Sequence, residues 1–426
     1  MITYVVQAGD TLYQISKRFG VDADTISSVN KLGQIPYLVI GQSLVIPTTE
    51  RAYKVQAGDS VYLIAKKFGV SPESIIRLNG LTDPFMLNIG QIIKIPELTD
   101  SYGAIEVNAY IEPSVPSPAE IIGRAGPYLT YISPFSYTVN ADGSINPLND
   151  SAILEASKDN NIAPLLVVTN FSGSNFSTDI VDTILTNPSV QQTLINNMLS
   201  IIRSKGYYGL NIDFERISPA NRGAYNNFLR RMMSTFKPLN IPVSVALAPK
   251  TSDTLTGAWH GAHDYAAVGN IVDFVILMTY EWGWSGGPPY AVAPVNLVED
   301  VIKYAVSVMP ANKILMGMPL YGYDWTLPYV RGGKWAKRIS PQSAVILAAK
   351  EGAEIMYDVK TQSPYFFYYD DNSKHHMVWF EDARSARAKF LLVSKYGLKG
   401  VSYWLLGEEF PQVWHIMDAM FRIVKV

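Results

Sequence analysis

The N-terminal part of the chain carries the same pattern of hydrophobic and polar positions twice. A single offset aligns three pairs of segments: Val6–Thr11 with Val55–Ser60, Phe19–Val21 with Phe68–Val70, and Gly41–Pro47 with Gly90–Pro96. Inside each copy, apolar residues recur at helical spacing behind an Asp-Thr or Asp-Ser pair that can cap a helix. Each copy therefore predicts a small βααβ unit, the first over residues 1–48 and the second over residues 52–97.

The hydrophobic pattern changes after a short polar link at Leu98–Gly103. Apolar, β-branched runs then alternate with helical stretches through residues 103–426, as is typical of an α/β fold with a parallel sheet. Eight strands are predicted, at Ile105–Ala109, Tyr128–Ile132, Leu165–Thr169, Gly209–Phe214, Val243–Ala248, Phe274–Thr279, Ile314–Pro319 and Gly400–Trp404. This count predicts a TIM (β/α)8 barrel. The gap between strands seven and eight is too long for one helix, so residues 324–377 predict an α+β insertion that walls a cleft.

The fourth predicted strand has a polar face that a structural strand would not need. Side chains alternate along a strand, so its apolar residues face the helices and its polar residues face the barrel interior: Asn211, Asp213 and Glu215. Burying two carboxyls costs several kcal/mol unless partners satisfy them. Catalytic groups of TIM barrels lie at the carboxyl ends of strands, so this strand predicts the active site.

Composition excludes several classes of function. The 426 residues contain 48% hydrophobic and 17% charged positions, with a formal net charge of -2, which gives no general attraction to nucleic acid or anionic membranes. Cysteine is absent, which removes disulfides, thiolate nucleophiles and cysteine-based zinc sites. His260 and His263 lie three apart without the carboxylate spacing of a zinc motif. We expect a monomer with no metal, no cofactor, no nucleic-acid partner and no membrane insertion.

The N-terminus also bears on location. Met1–Asp10 has neither a basic region nor a long apolar run, so we expect no cleavable signal peptide. No apolar run approaches the ~20 residues that a bilayer-spanning helix needs.

The two N-terminal repeats resemble the LysM domain. The resemblance rests on Val-x-x-Gly-Asp-Ser/Thr, a central Asn, and Gly-Gln-x-Ile/Leu-x-Ile-Pro, which both copies contain. It implies binding of peptidoglycan or another glycan that contains N-acetylglucosamine. The contacts are expected in the loop after the first strand of each repeat: Gly9, Asp10 and Thr11, and Gly58, Asp59 and Ser60.

The barrel resembles glycoside hydrolase family 18. Tyr208–Glu215 is similar to the family's Asp-Gly-x-Asp-x-Asp-x-Glu motif, and three later segments match its sixth, seventh and eighth strands: Met278–Glu281, Met318–Gly322 and Gly400–Trp404. The sequence departs from the family at three positions, with Tyr208 and Asn211 in place of the motif's first two Asp residues and Glu281 in place of an Asp. Asn211 can still donate a hydrogen bond to Asp213.

The resemblance implies a role for each matched residue. Glu215 becomes the general acid and base, Asp213 orients the substrate's 2-acetamido group, and Tyr280 contacts that group. Trp404 becomes the floor beneath the reacting sugar. Three further residues are expected to contact substrate: Asn211, Tyr321 and Glu281. The family's substrate-assisted mechanism uses the acetamido oxygen as nucleophile and retains the anomeric configuration.

LysM repeats ahead of such a barrel resemble the cortex-lytic N-acetylglucosaminidases of spore-forming bacteria. That resemblance implies hydrolysis of β-1,4 bonds in spore cortex peptidoglycan during germination, at the spore coat or cortex surface. Two alternatives remain open from the sequence. A chitinase uses the same machinery on a simpler polymer, and a glycan-binding protein can be built on an inactive barrel. Inactive relatives typically lack the catalytic Glu, whereas Glu215 is present.

Overall fold

A computed structural model describes residues 1–47, 50–68, 70, 72–82, 84–96 and 102–426. Three predicted features lie outside these residues: the end of the first repeat at Thr48, the end of the second repeat at Glu97, and Leu98–Ser101, which form most of the predicted link. Among the described residues, no helix combines the length and apolar character needed to cross a membrane.

The first repeat is the predicted βααβ unit. Its elements are β1 (Ile2–Val5), α1 (Leu12–Phe19), α2 (Ala23–Val29) and β2 (Ser43–Ile46), with β1 and β2 antiparallel. Thr11 caps α1 by accepting a hydrogen bond from the backbone N–H of Gln14 at 3.2 Å. Gly20 adopts the left-handed conformation that ends this helix, with φ at 65°.

The second repeat has the same order of elements and its own small core. It contains β3 (Glu50–Lys54), α3 (Val61–Phe68), α4 (Pro72–Asn79) and β4 (Ile92–Pro96), with β3 and β4 antiparallel. The core residues come from both helices and both sides of the strand pair: Val55, Val61, Ile64, Ala65, Ile75, Ile93 and Ile95. Asn79 links helix to strand, since its amide donates to the carbonyl oxygens of Ile75 and Lys94 at 2.9 and 2.6 Å.

The rest of the chain begins with seven parallel strands that alternate with helices. The strands are β5 (Ala104–Ile111), β6 (Tyr131–Pro134), β7 (Ala163–Thr169), β8 (Gly209–Asp213), β9 (Val243–Leu247), β10 (Phe274–Leu277) and β11 (Ile314–Pro319). The helices are α5 (Pro118–Ala125), α6 (Ser151–Asp159), α7 (Thr178–Thr186), α8 (Pro188–Lys205), α9 (Arg222–Phe236), α10 (Tyr265–Ile271) and α11 (Val295–Val308). The second strand starts later than predicted because Gly126–Tyr128 form a 3-10 turn.

An α+β insertion follows β11, as predicted. Its antiparallel sheet is built from β12 (Gly322–Thr326), β13 (Lys337–Ile339), β14 (Met356–Asp358), β15 (Ser363–Tyr369) and β16 (His375–Trp379), with α12 (Pro341–Lys350) packed against it. The sheet extends slightly beyond the predicted range of 324–377 at both ends.

The last strand closes the barrel. After α13 (Ala383–Tyr396), β17 (Gly400–Trp404) pairs in parallel with both β11 and β5, and α14 (Pro411–Met420) follows. The predicted TIM barrel with an insertion between strands seven and eight is therefore confirmed. Most of its large core lies between strands and helices, and a smaller cluster fills the barrel interior.

The first repeat packs against this barrel and its insertion. Val39 joins the apolar core of the insertion, with Ala344, Ala348 and Ile355. The backbone N–H of Ile355 donates to the carbonyl oxygen of Ile40 at 2.9 Å. Further polar contacts join the two parts: Gln412 donates to Asn30 and Ser43 at 2.8 Å, Arg384 donates to Gly41 at 3.1 Å, and Lys31 pairs with Glu409 at 2.6 Å.

Candidate active site

A wide cleft opens at the carboxyl ends of the barrel strands, with a volume of about 1020 Å³. Its walls come from the loops after β7, β8, β9 and β10 and combine aromatic and ionisable side chains. The aromatic residues are Phe171, Phe176, Trp259, Tyr280, Trp282 and Trp284, and the ionisable ones include Glu215, Arg216, His260 and Glu281. Aromatic faces of this kind suit the apolar faces of sugar rings, and their polar edges suit hydroxyl groups.

Two carboxyls lie where β8 ends at the cleft. Asp213 is 4% exposed, and its Oδ1 is a buried atom with no hydrogen-bond partner among the described residues. Glu215 is half-buried, and its Oε2 accepts a hydrogen bond from the indole Nε1 of Trp259 at 2.9 Å. Asn170, just after β7, fixes the Glu215 backbone, accepting from its N–H at 3.0 Å and donating to its carbonyl at 2.8 Å.

Burial changes the protonation of both carboxyls. Desolvation and the adjacent Glu215 raise the pKa of Asp213 well above its ordinary value. Desolvation raises the pKa of Glu215 to about 7, against the opposing effects of the Trp259 hydrogen bond and the Arg216 charge. The two groups interact as they titrate, and a pKa of about 7 leaves Glu215 partly protonated near neutral pH. The site can therefore donate a proton at neutral pH, which an ordinary exposed carboxyl cannot.

Tyr280 and Glu281 follow β10 at the same edge. Burial, together with Asp213 and Glu215, raises the pKa of Tyr280 well above its ordinary value, so its hydroxyl remains a hydrogen-bond donor. Glu281 accepts hydrogen bonds from the hydroxyls of Tyr321 and, at 2.9 Å, Tyr323. Burial raises the pKa of Glu281, and the two tyrosines oppose this by stabilising the carboxylate.

Two predicted substrate-contacting residues lie beneath the cleft surface. Tyr321 is fully buried and uses its hydroxyl on Glu281. Asn211 is fully buried, accepting from the Tyr110 hydroxyl and donating to Ser244 Oγ, both at 2.9 Å. The expected bond from Asn211 to Asp213 is not found among the described residues. Both polar groups already have protein partners, and direct substrate contact by Tyr321 and Asn211 stays a prediction.

Trp404 lies at the end of β17, half-buried inside the ring of strands. Its indole meets Tyr110 and Phe135 edge-on, with ring centroids 5.4 and 4.8 Å apart. These contacts hold the ring against the residues that fill the barrel interior. Its predicted role as the floor beneath a sugar is compatible with this position and stays a prediction.

The predicted glycan-contacting loops of the two repeats are alike in structure. Asp10 accepts hydrogen bonds from Tyr4 and the Gln7 backbone at 2.6 and 2.7 Å, and Asp59 accepts from Tyr53 and the Gln56 backbone at 2.7 Å. Gly9 and Gly58 have φ of 83° and 85°, which favours glycine. Thr11 and Ser60 cap the following helices. These side chains hold the loops in shape, and their contact with glycan stays a prediction.

Three residues that support Glu215 were missed in the sequence. Trp259 and Asn170 lie on loops outside the strand motifs. His263 accepts a hydrogen bond from the Ala248 backbone at Nδ1 (2.9 Å), so its Nε2–H faces the Phe214 carbonyl at 3.2 Å. Burial lowers the pKa of His263 to about 4, which keeps the ring neutral. The spacing of His260 and His263 was visible, but nothing in the pattern indicated this partner.

Among the described residues, no group of three or more His, Asp or Glu side chains is arranged to hold a metal ion. The expected independence from metal stays a prediction, which activity in the presence of a chelator would test.

Comparisons with known proteins agree with this geometry. The sequence model of the glycosyl hydrolases family 18 matches residues 134–409, and that of the LysM domain matches residues 4–47 and 53–96. A cortical fragment-lytic enzyme of Bacillus subtilis (strain 168) is 48% identical over 429 residues, which cover 100% of this chain and 99% of the relative.

Solved structures of glycoside-cleaving enzymes are similar to this chain as well. The spore cortex-lytic enzyme SleL of Bacillus megaterium QM B1551 superposes with a TM-score of 0.91 at 42% identity, covering 100% of this chain and 99% of that one. A chitinase from Chromobacterium violaceum ATCC 12472 superposes with a TM-score of 0.68 at 27% identity, covering 73% of this chain and 97% of the chitinase.

Proposed function

Because this chain belongs to family 18 of the glycosyl hydrolases, we propose that it is an N-acetylglucosaminidase that cleaves β-1,4 bonds in spore cortex peptidoglycan. The observation that carries the proposal is the pair of carboxyls at the end of β8. One is buried with an oxygen that accepts no hydrogen bond from the described residues, and the other has a pKa of about 7. The substrate class rests on the cortical fragment-lytic and cortex-lytic relatives, which match the whole length of the chain.

Glu215 acts as the general acid. Its carboxyl is protonated over part of the neutral range because burial raises its pKa to about 7. The proton passes to the glycosidic oxygen as the bond between that oxygen and the anomeric carbon breaks. The resulting Glu215 carboxylate then removes a proton from the water that attacks the anomeric carbon, which restores the acid.

The nucleophile is the substrate's own acetamido oxygen. It bonds to the anomeric carbon from the face opposite the leaving group and forms a bicyclic oxazolinium ion, which water opens with net retention. No described residue donates to Asp213 Oδ1, so this oxygen is available to accept a hydrogen bond from the acetamido N–H. That bond would lower the pKa of Asp213, and the ionised carboxylate would then stabilise the positive charge of the intermediate.

Tyr280 and Trp404 complete the reacting site. The Tyr280 hydroxyl stays protonated, because burial and the nearby Asp213 raise its pKa, so it is suited to donate to the acetamido oxygen. Trp404 offers an apolar face below the sugar, with its edge contacts to Tyr110 and Phe135 holding the ring in place.

The LysM domains hold the barrel at an insoluble substrate. A tethered enzyme meets its substrate at a raised effective concentration without any new contact in the active site. With peptidoglycan as the partner, we place the protein at the spore coat or cortex surface and assign its activity to germination.

Replacing the acid tests the assignment. Glu215→Gln should lose at least ~10²-fold in kcat, because the amide cannot donate the proton, while binding of cortex fragments persists. Asp213→Asn should lower kcat more than it raises KM. Near-native turnover by Glu215→Gln would remove the assignment, and binding without any turnover by the native chain would identify a glycan-binding protein.

The products distinguish the mechanism and the substrate. Proton NMR during the first turnovers should show the β-anomer, and a thiazoline mimic of the bicyclic intermediate should inhibit. De-acetylated substrate should bind without being cleaved. An initial α-anomer would contradict the mechanism, and faster cleavage of chitin oligomers than of cortex fragments, measured by mass spectrometry, would identify a chitinase.

A further inference from the structure

Trp259 makes a contact that the strand motifs do not describe. It lies on the segment between β9 and α10 and is 36% exposed. Its indole N–H donates a hydrogen bond to Glu215 Oε2, with 2.9 Å between the nitrogen and the oxygen. We propose that Trp259 is a positioning residue that fixes which oxygen of Glu215 carries the catalytic proton. This inference rests on the proposed function, because it requires Glu215 to be the acid.

The chemistry of the indole group sets the direction of the bond. An indole nitrogen donates and cannot accept, and the carbonyl oxygen of a carboxylic acid accepts better than its hydroxyl oxygen, so the bond favours the oxygen facing Trp259 being free of the acid proton. In the protonated state of Glu215 the proton is therefore directed to Oε1. Without this donor, the proton would distribute over both oxygens and the carboxyl would rotate more freely.

The backbone on both sides of the contact is fixed. Asn170 holds the N–H and the carbonyl of Glu215, which leaves only side-chain torsions for Trp259 to restrict. The segment that bears Trp259 is tied to β8 through His263, whose ring contacts the Phe214 carbonyl, and Lys250 Nζ donates to the His263 carbonyl at 3.0 Å. The distance between the indole and the carboxyl is thus set by structure on either side.

The same bond affects the acidity of Glu215. Among the described residues, Trp259 is the one donor to its carboxyl group, and it stabilises the ionised form against burial. The other titratable or charged groups around this carboxyl among the described residues are Asp213, Arg216, Tyr110, Tyr280, His260 and Glu281. None of these supplies a hydrogen bond that could replace the indole N–H.

The test removes the donor and keeps a ring. Glu215 works in its protonated form, so kcat/KM falls as pH rises through its pKa. In Trp259→Phe this alkaline limb should move up by roughly 0.5 to 1 pH unit, because the lost hydrogen bond favoured the carboxylate. The kcat should fall ~10-fold at the pH optimum, because the proton is no longer directed at the substrate. Placing 3-benzothienylalanine at position 259 keeps the size of the indole and should give the same shift.

Trp284→Phe is the matched control. Trp284 also lines the cleft but packs edge-to-face with Trp335, with ring centroids 5.8 Å apart. It makes no hydrogen bond to Glu215 among the described residues. This variant should change KM and leave the alkaline limb in place. If Trp259→Phe behaves like Trp284→Phe, Trp259 only contacts glycan and the proposal is wrong.

A direct titration separates this inference from the proposed function. The carboxyl carbon of Glu215, followed by ¹³C NMR and assigned by its loss in Glu215→Gln, reports the pKa without any turnover. A raised pKa in both ring variants supports the positioning role, and an unchanged pKa overturns it. If Glu215→Gln stays active while the titration shows the shift, the proposed function fails and the contact stands.

Discussion

The two N-terminal repeats share their sequence pattern, their elements and their loop geometry, yet their surroundings are different. In the first repeat, Val39 is 2% exposed within the core of the insertion. In the second repeat the equivalent position is Asn88, and the next residue, Ile89, is 74% exposed. Among the described residues, no hydrogen bond joins the second repeat to the barrel. Two copies of one fold therefore differ in this structure, since the first is built into the barrel and its insertion and the second shares no hydrogen bond with them among the described residues.

The difference lies mainly in the segment between the second helix and the last strand. Ile40 of the first repeat is 38% exposed, and its carbonyl oxygen accepts a hydrogen bond from the Ile355 backbone N–H. The equivalent Ile89 of the second repeat is much more exposed. Met86 and Ile92 of the second repeat are also strongly exposed. We infer that this segment of the first repeat stabilises the barrel and its insertion, whereas the same segment of the second repeat is open to solvent.

The largest effect is expected from removing the first repeat. A chain that lacks residues 1–47 should melt at least roughly 5 °C lower in its barrel transition, because the insertion loses Val39 and the hydrogen bonds of this contact. Removing residues 1–96 should lower the melting temperature little further, and should additionally weaken binding to insoluble peptidoglycan. Differential scanning calorimetry and a pull-down on purified cortex measure the two effects.

Two outcomes would contradict this difference between the repeats. If the barrel melts at its native temperature without residues 1–47, the contact of the first repeat contributes nothing. If only the longer deletion lowers the melting temperature, the second repeat carries the stabilising contact.

A matched pair of glycines isolates the contact from the fold of the repeats. Gly41 and Gly90 are equivalent and both have positive φ, at 81° and 87°, so alanine strains each backbone by a similar amount, roughly 1 kcal/mol. A Cβ on Gly41 would lie 1.8 Å from the Ile355 carbonyl oxygen, whereas one on Gly90 meets only Lys54 Cε, at 3.8 Å. Gly41→Ala should therefore cost about 2 kcal/mol more than Gly90→Ala in the unfolding of the barrel.

Denaturant unfolding of both variants, followed by tryptophan fluorescence of the barrel, measures this difference. Equal costs would mean that the first repeat separates from the insertion in solution.

The sequence predicted the parts of the molecule that follow a regular period. The strand trio of Asn211, Asp213 and Glu215 could be found because side chains alternate on a strand, and the eight strands because apolar runs recur. Trp259 and Asn170 could not, because their contacts depend on the path of loops. The burial of Tyr321 was equally hidden, since a motif identifies a residue without showing what already bonds to its hydroxyl.

The contact of the first repeat left a weaker trace in the sequence. The first repeat has the apolar Val39 where the second has the polar Asn88. This difference indicates that the position is buried in the first repeat and exposed in the second. The sequence cannot show which surface receives Val39, because Ala344, Ala348 and Ile355 come from a distant part of the chain.

The smallest expected effect concerns the ion pair between Lys31 and Glu409, whose atoms lie 2.6 Å apart. Both side chains are about one-third exposed, so water and salt screen their attraction. The second repeat has Gly80 at the position of Lys31 and cannot form this pair. A double-mutant cycle of Lys31→Met and Glu409→Gln should give a coupling of about 0.5 kcal/mol in barrel stability, which falls as NaCl is raised towards 1 M. A coupling well above ~1 kcal/mol that resists salt would mean that this pair, rather than the apolar contact of Val39, distinguishes the two repeats.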